Sequence, residues 1–66
     1  MTEQLILAWC DAHFARHGRW PHLQSGAIPE APGETWRRID RALRAGCRGL
    51  DPGQSLHRLL RQTGRL

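Results

Sequence analysis

Thr35-Trp36-Arg37-Arg38-Ile39-Asp40-Arg41-Ala42-Leu43-Arg44-Ala45-Gly46 is the stretch on which the fold turns. At about 100° per residue, Trp36, Ile39, Ala42 and Leu43 share one helix face. Arg37, Arg41 and Arg44 occupy the opposite arc, with Arg38 at its edge and Cys47 just beyond the apolar face. Thr35 offers an N-cap oxygen, and Gly46 takes the left-handed conformation that closes a helix at little cost. The spacing predicts a helix over about residues 35–45 that buries one stripe and leaves a basic face outside.

On the N-terminal side, residues 18–34 contain Pro21, Pro29 and Pro32 together with Gly18, Gly26 and Gly33. Proline fixes φ and pushes its predecessor towards extended geometry, so this is an ordered loop rather than a helix. Trp20 and Ile28 are its expected anchors on the core. A structureless loop of this length is uncommon in a small domain, which marks it as a functional loop or a covering flap. Ahead of it, Thr2 and Glu3 open a first helix over about 3–17 that stops at Gly18. Leu5, Ile6, Trp9, Ala12 and His13 cover one side, and Leu7, Cys10 and Phe14 widen the apolar arc. That width predicts a central helix packed on two sides.

On the C-terminal side, Arg48-Gly49-Leu50 leads to Asp51-Pro52-Gly53-Gln54. Asp51 with Gln54 fits a capping box; alternatively Ser55 is the cap and the preceding residues form a turn, which Gly53 favours. The third helix, about 55–63, buries Leu56, Leu59 and Leu60, presents His57, Arg58 and Arg61, and closes at Gly64. No segment alternates with period two. The expected fold is all-α: one domain, residues 1–66, a small three-helix bundle with a long Pro/Gly-rich ordered loop between the first and second helices.

Charge is divided unevenly along the chain. All ten cationic residues are arginine, and the net charge is +4 with four neutral histidines. Residues 1–34 carry Arg16 and Arg19 against four acids, a net of −2, whereas residues 35–66 carry eight arginines against Asp40 and Asp51, a net of +6. Such asymmetry points to a polyanionic partner for the second half. Arginine suits phosphate because its planar fork donates two parallel hydrogen bonds. Arg37, Arg41, Arg44, Arg48, Arg58 and Arg61 are therefore the expected phosphate contacts, with Trp20 as a stacking group. The bland alternative is a solvated face that keeps a small protein dispersed. The polyanion reading requires these guanidinium groups to share one side, unneutralised by Glu30, Glu34 and Asp51.

Other chemistry is thinly represented. Cys10, His13 and His17 fall within about 60° on the first helix, with His22 after the turn, which is metal-ligand spacing. A second short ligand motif is missing, however, and a core histidine bonded to a backbone carbonyl is the commoner outcome for His13. No cofactor and no metal are expected. Nor is there a paired-carboxylate motif, a Gly-x-Ser-x-Gly elbow, a phosphate-cradling glycine loop or a His-Glu-x-x-His helix. Sixty-six residues leave little room for a deep, dry pocket, so neither an enzyme nor a small-molecule binder is expected. Two cysteines are too few for a disulfide scaffold, nothing at the N-terminus reads as a signal peptide, and no apolar run approaches the ~18 residues of a membrane span. A reducing cytoplasm is the expected compartment.

The stretches Gly18-Arg19-Trp20-Pro21, Gly33-Glu34-Thr35-Trp36 and Ala42-Leu43-Arg44-Ala45-Gly46 form a pattern similar to the small helical repeats associated with homing endonucleases and helicases. Those repeats pair a Gly-x-x-Pro turn with a Gly-x-x-Trp helix entry and an Ala-Leu…Gly ending, and the resemblance covers residues 5–50. It implies an accessory DNA-contacting module with no catalysis of its own. The chain also resembles uncharacterised bacterial small domains with an RWP…PGETW…ALR-G-RGL layout, which implies a fold and no function. The leading expectation is a non-catalytic nucleic-acid-binding accessory or regulatory module, with DNA ahead of RNA. The rival is a protein-interaction module (a small inhibitor, an antitoxin-like regulator or an assembly subunit) docking on an acidic protein surface.

Overall fold

Each of the three helices starts at a hydroxyl. In the computed structural model, which describes Met1–Leu66, α1 spans Glu3–His17, α2 spans Trp36–Ala45 and α3 spans Leu56–Gln62. Thr2, Thr35 and Ser55 sit in extended geometry, and their side-chain oxygens accept from the amides of Leu5, Arg38 and Arg58 at 3.1–3.2 Å. The third cap is thus Ser55 and not Asp51. The chain is all-helical with the long loop between α1 and α2, and its one β-type pairing is an isolated bridge between Ala27 and Thr35.

The α2–α3 joint fixes the basic half of the molecule. Gly46 ends α2 at φ 74°, and the amides of Gly46 and Cys47 both donate to the Ala42 carbonyl. The last carbonyls of α2 are taken by the returning chain: Gly53 N–H donates to Arg44 O and Gln54 N–H to Leu43 O, each at 3.2 Å. Going the other way, buried Asp40 reaches from α2 to the start of α3, where its Oδ1 accepts from Leu56 N–H at 2.9 Å. Orphan groups at both helix ends are thereby satisfied within one turn of chain.

Twelve buried apolar residues form a single core. α2 contributes Trp36, Ile39, Ala42 and Leu43, α3 contributes Leu56, Leu59 and Leu60, and α1 contributes Ile6, Trp9 and Cys10; Ile28 and Leu50 come from the connections. The loop is an ordered flap, as its composition predicts. Ile28 N–H donates to Glu34 O, Trp36 N–H donates to Gly26 O, and Ile28 itself is only 1% exposed. Trp20 packs, half-buried, at the core's edge. The chain's end is pinned as well, with Arg65 in a two-pronged ion pair with Asp11 on α1.

One expectation is corrected here. α1 is not a centrally packed helix: Leu5 and Phe14 remain 44% and 42% exposed. The closest helix–helix packing is between α2 and α3 instead. The Nε1–H of buried Trp36 has no hydrogen-bond partner. Its ring instead meets His13 edge-on at 5.9 Å.

Candidate nucleic-acid interface

The stripe on α2 is as regular as the sequence implies. Arg37, Arg41 and Arg44 are all exposed, and Arg37 and Arg44 lie about 10 Å apart along the helix axis at 1.5 Å per residue. Three open clefts link this stripe to the remaining arginines. Arg38, Arg41 and Arg48 line the first, together with Ala42 and Cys47. Arg44 and Arg58 line the second, with Gly53, Gln54 and Ser55 between them. Arg58 and Arg61 line the third, with His57 and Gln62. Because Arg41 and Arg44 are neighbours one turn apart on α2, a continuous basic band runs from Arg48 to Arg61.

Carboxylates reduce the charge of that band at definite points. Asp40 Oδ2 accepts from Arg44 Nε at 2.7 Å, an i,i+4 pair whose acid is buried and whose guanidinium is 64% exposed. Glu34 bridges two arginines: one oxygen pairs with Arg48 and the other lies 3.8 Å from Arg38 Nε. Asp51 pairs with none, and Arg37, Arg41, Arg58 and Arg61 have no carboxylate partner. Of the acids expected to threaten the band, Glu34 touches it, while Glu30 pairs with Arg16 away from it. The Arg16 hydrogen bond holds the Glu30 carboxyl below its usual range, and the Arg65 hydrogen bond does the same for Asp11.

Arg48 has a second peculiarity. Its φ is +58°, and it is the only residue other than glycine in the left-handed region. A side chain there costs roughly 1–2 kcal/mol relative to glycine. The turn Cys47–Leu50, closed by Leu50 N–H donating to Cys47 O, accepts that strain and directs the guanidinium to Glu34.

Trp20 lies elsewhere. Its indole stacks on the Phe14 ring at 4.4 Å with 28° between the planes, so one of its faces is already occupied by α1.

The Cys/His group does not close into a metal centre, since no three His, Cys, Asp or Glu side chains are arranged to hold an ion. Cys10 is fully buried, and burial, with the neighbouring Asp11 charge adding to it, pushes its thiol up to about 12. His13 is a core residue whose Nδ1 meets the Arg19 carbonyl at 2.8 Å, tying the loop to α1. His17 lies against His13 with ring centroids 4.5 Å apart and the rings tilted by 49°, and His22 Nδ1 accepts from Gln24 N–H. Cys47 is exposed in the arginine cleft instead of joining this group.

Sequence reasoning placed Arg38 at the edge of this surface and Glu34 among its possible neutralisers, but gave Asp40 no part in it and did not assign the pairings. The i,i+4 spacings of Glu34–Arg38 and Asp40–Arg44 were visible signals. The Glu34–Arg48 pair has none, because it depends on how the loop returns to α2.

The chain matches no protein-family model, no curated protein and no solved structure.

Proposed function

We propose that this chain is a non-catalytic module that binds the phosphate backbone of a nucleic acid, DNA ahead of RNA, through the band on α2 and α3. One observation carries the reading: Arg37, Arg41, Arg58 and Arg61 are exposed without a carboxylate partner, on two helices held in fixed relation by Asp40. Four guanidinium groups without a carboxylate partner, of which Arg58 donates to the Gly53 carbonyl at 3.3 Å, supply the counterion-releasing contacts that dominate non-specific binding. Arg44 and Arg48 are secondary contacts, since each must exchange an internal carboxylate for a phosphate. Trp20 is a flanking contact at most, with one face available for stacking. The link between α2 and α3 is longer than the three- or four-residue turn of a helix-turn-helix, which favours backbone contact over sequence selection.

A second reading has its own observation. The exposed Phe14 edge and its stacked partner Trp20 form an aromatic spot of the kind that anchors protein interfaces. On that reading the arginines meet an acidic protein.

A salt titration separates the two. Binding of a short duplex through four phosphates gives a log-affinity slope of about −3 to −4 against log salt, and Arg37→Ala or Arg61→Ala each lowers the slope by about one. Absence of duplex, single-strand and RNA binding at low salt overturns the first reading and leaves the protein interface.

A further inference from the structure

Of the arginines lining the cleft of Arg38, Arg41, Ala42, Cys47 and Arg48, two share one carboxylate of the protein's own. Glu34, at the end of the loop, puts one oxygen on Arg48 and the other towards Arg38. That second oxygen is buried and makes no hydrogen bond. The carboxylate therefore serves the cleft's arginines incompletely, because it satisfies one guanidinium, approaches a second and leaves Arg41 untouched. A tetrahedral phosphate, with more acceptor oxygens on a larger radius, suits three converging guanidinium groups better than a planar carboxylate does. The strained backbone of Arg48 adds a separate observation. A glycine would cost nothing at that φ, yet the position carries the one side chain that completes the cleft.

We propose that this cleft is a phosphate seat and that Glu34 is its built-in competitor, so that an incoming phosphate must displace the Glu34 carboxylate from Arg48 and Arg38. The inference rests on the backbone-binding reading and adds a regulatory element to it. Contact with a polyanion releases Glu34, and Glu34 lowers affinity for anions too weak to displace it. Loss of the Glu34 charge therefore strengthens binding at this position specifically.

The test uses the full chain and four variants, Glu34→Gln, Glu30→Gln, Arg48→Ala and Glu34→Gln with Arg48→Ala, each checked for folding by circular dichroism. Affinity for a short DNA duplex is measured at one low salt concentration. Glu34→Gln binds about two- to fivefold more tightly, the range expected when an exposed ion pair no longer competes. Glu30→Gln changes net charge equally but acts on Arg16, outside the cleft, and gives less than half that gain. Adding Arg48→Ala to Glu34→Gln abolishes the gain. Wild-type chain titrated with inorganic pyrophosphate gives a reading independent of any variant: the Nε–H resonances of Arg38 and Arg48 shift together while that of Arg16 stays in place. Duplex binding with no advantage for Glu34→Gln, or a gain that survives Arg48→Ala, overturns the seat and leaves backbone binding intact. Resonances of Arg38 and Arg48 that stay fixed at saturating pyrophosphate overturn it as well. Failure of every folded variant to bind duplex overturns the backbone-binding reading on which the seat rests.

Discussion

At the scale of single residues, the chain depends most on one glycine. Gly46 holds φ 74°, and a Cβ added there would lie 2.8 Å from Pro52 N and 2.9 Å from Pro52 Cβ and Cδ. Gly18 has a nearly identical φ of 72° and open space around it. The two positions separate backbone strain from crowding. Gly18→Ala loses about 1 kcal/mol, the left-handed penalty alone. Gly46→Ala adds overpacking against a proline ring that cannot swing aside, for a total of about 3 kcal/mol. A domain of this size has a margin of ~3–5 kcal/mol, so the second variant sits at the edge of unfolding. Urea melts of both variants check this; equal losses would mean that the Gly46–Pro52 approach relaxes freely. Gly46 as a helix terminus was readable from its place after Ala45. Its contact with Pro52 was not, because it depends on the direction in which the link turns back.

At the scale of elements, α2 and α3 are one unit, and Asp40 is its fastener. The carboxylate is 6% exposed and accepts both the first amide of α3 and the Arg44 guanidinium. Asp40→Ala strands a buried amide and loses about 1–3 kcal/mol. Asp40→Asn retains an acceptor oxygen for Leu56 N–H and loses less. Arg44→Ala removes a mostly exposed pair, worth no more than about 1 kcal/mol. Thermal melts should rank the losses in that order, and an Arg44→Ala loss as large as Asp40→Ala would transfer the fastening role to the ion pair. The helices themselves were legible: three hydroxyl caps, a proline-broken loop and the 3.6-residue spacing fix their number and bounds to within a residue. The asymmetric burial of α1 was not legible. An apolar arc reports what a helix offers for packing, and the number of neighbours available to accept it is a property of the whole chain.

At the scale of the whole molecule, two of the ion pairs that link distant segments are Arg65 to Asp11 and Arg16 to Glu30. Both carboxyls are held below their usual range by the partner arginine. A carboxyl whose folded pKa is depressed adds stability that is complete above its unfolded pKa, about 4. That contribution is lost as pH falls through the folded value. Stability therefore declines on acidification below about pH 4, and Arg65→Gln flattens the decline by removing the Asp11 share. A pH series of melts on the two proteins checks it; superimposable acid limbs would show that the C-terminal clasp contributes nothing. The basic band was the most legible part of the candidate site, since helix periodicity alone puts Arg37, Arg41 and Arg44 together. Its neutralisation was only half legible, because pairs within a helix follow from spacing whereas Glu34 reaches Arg48 through a loop whose path no periodicity encodes.

The two cysteines divide the labour of any future spectroscopy. Cys10 is sealed in the core with its proton held tightly, and Cys47 opens into the arginine cleft. A maleimide dye offered to the native chain attaches at Cys47 alone, with no engineered handle. The fluorophore then reports from within the surface of interest, and a change in its emission on adding a ligand is a direct optical readout of occupancy.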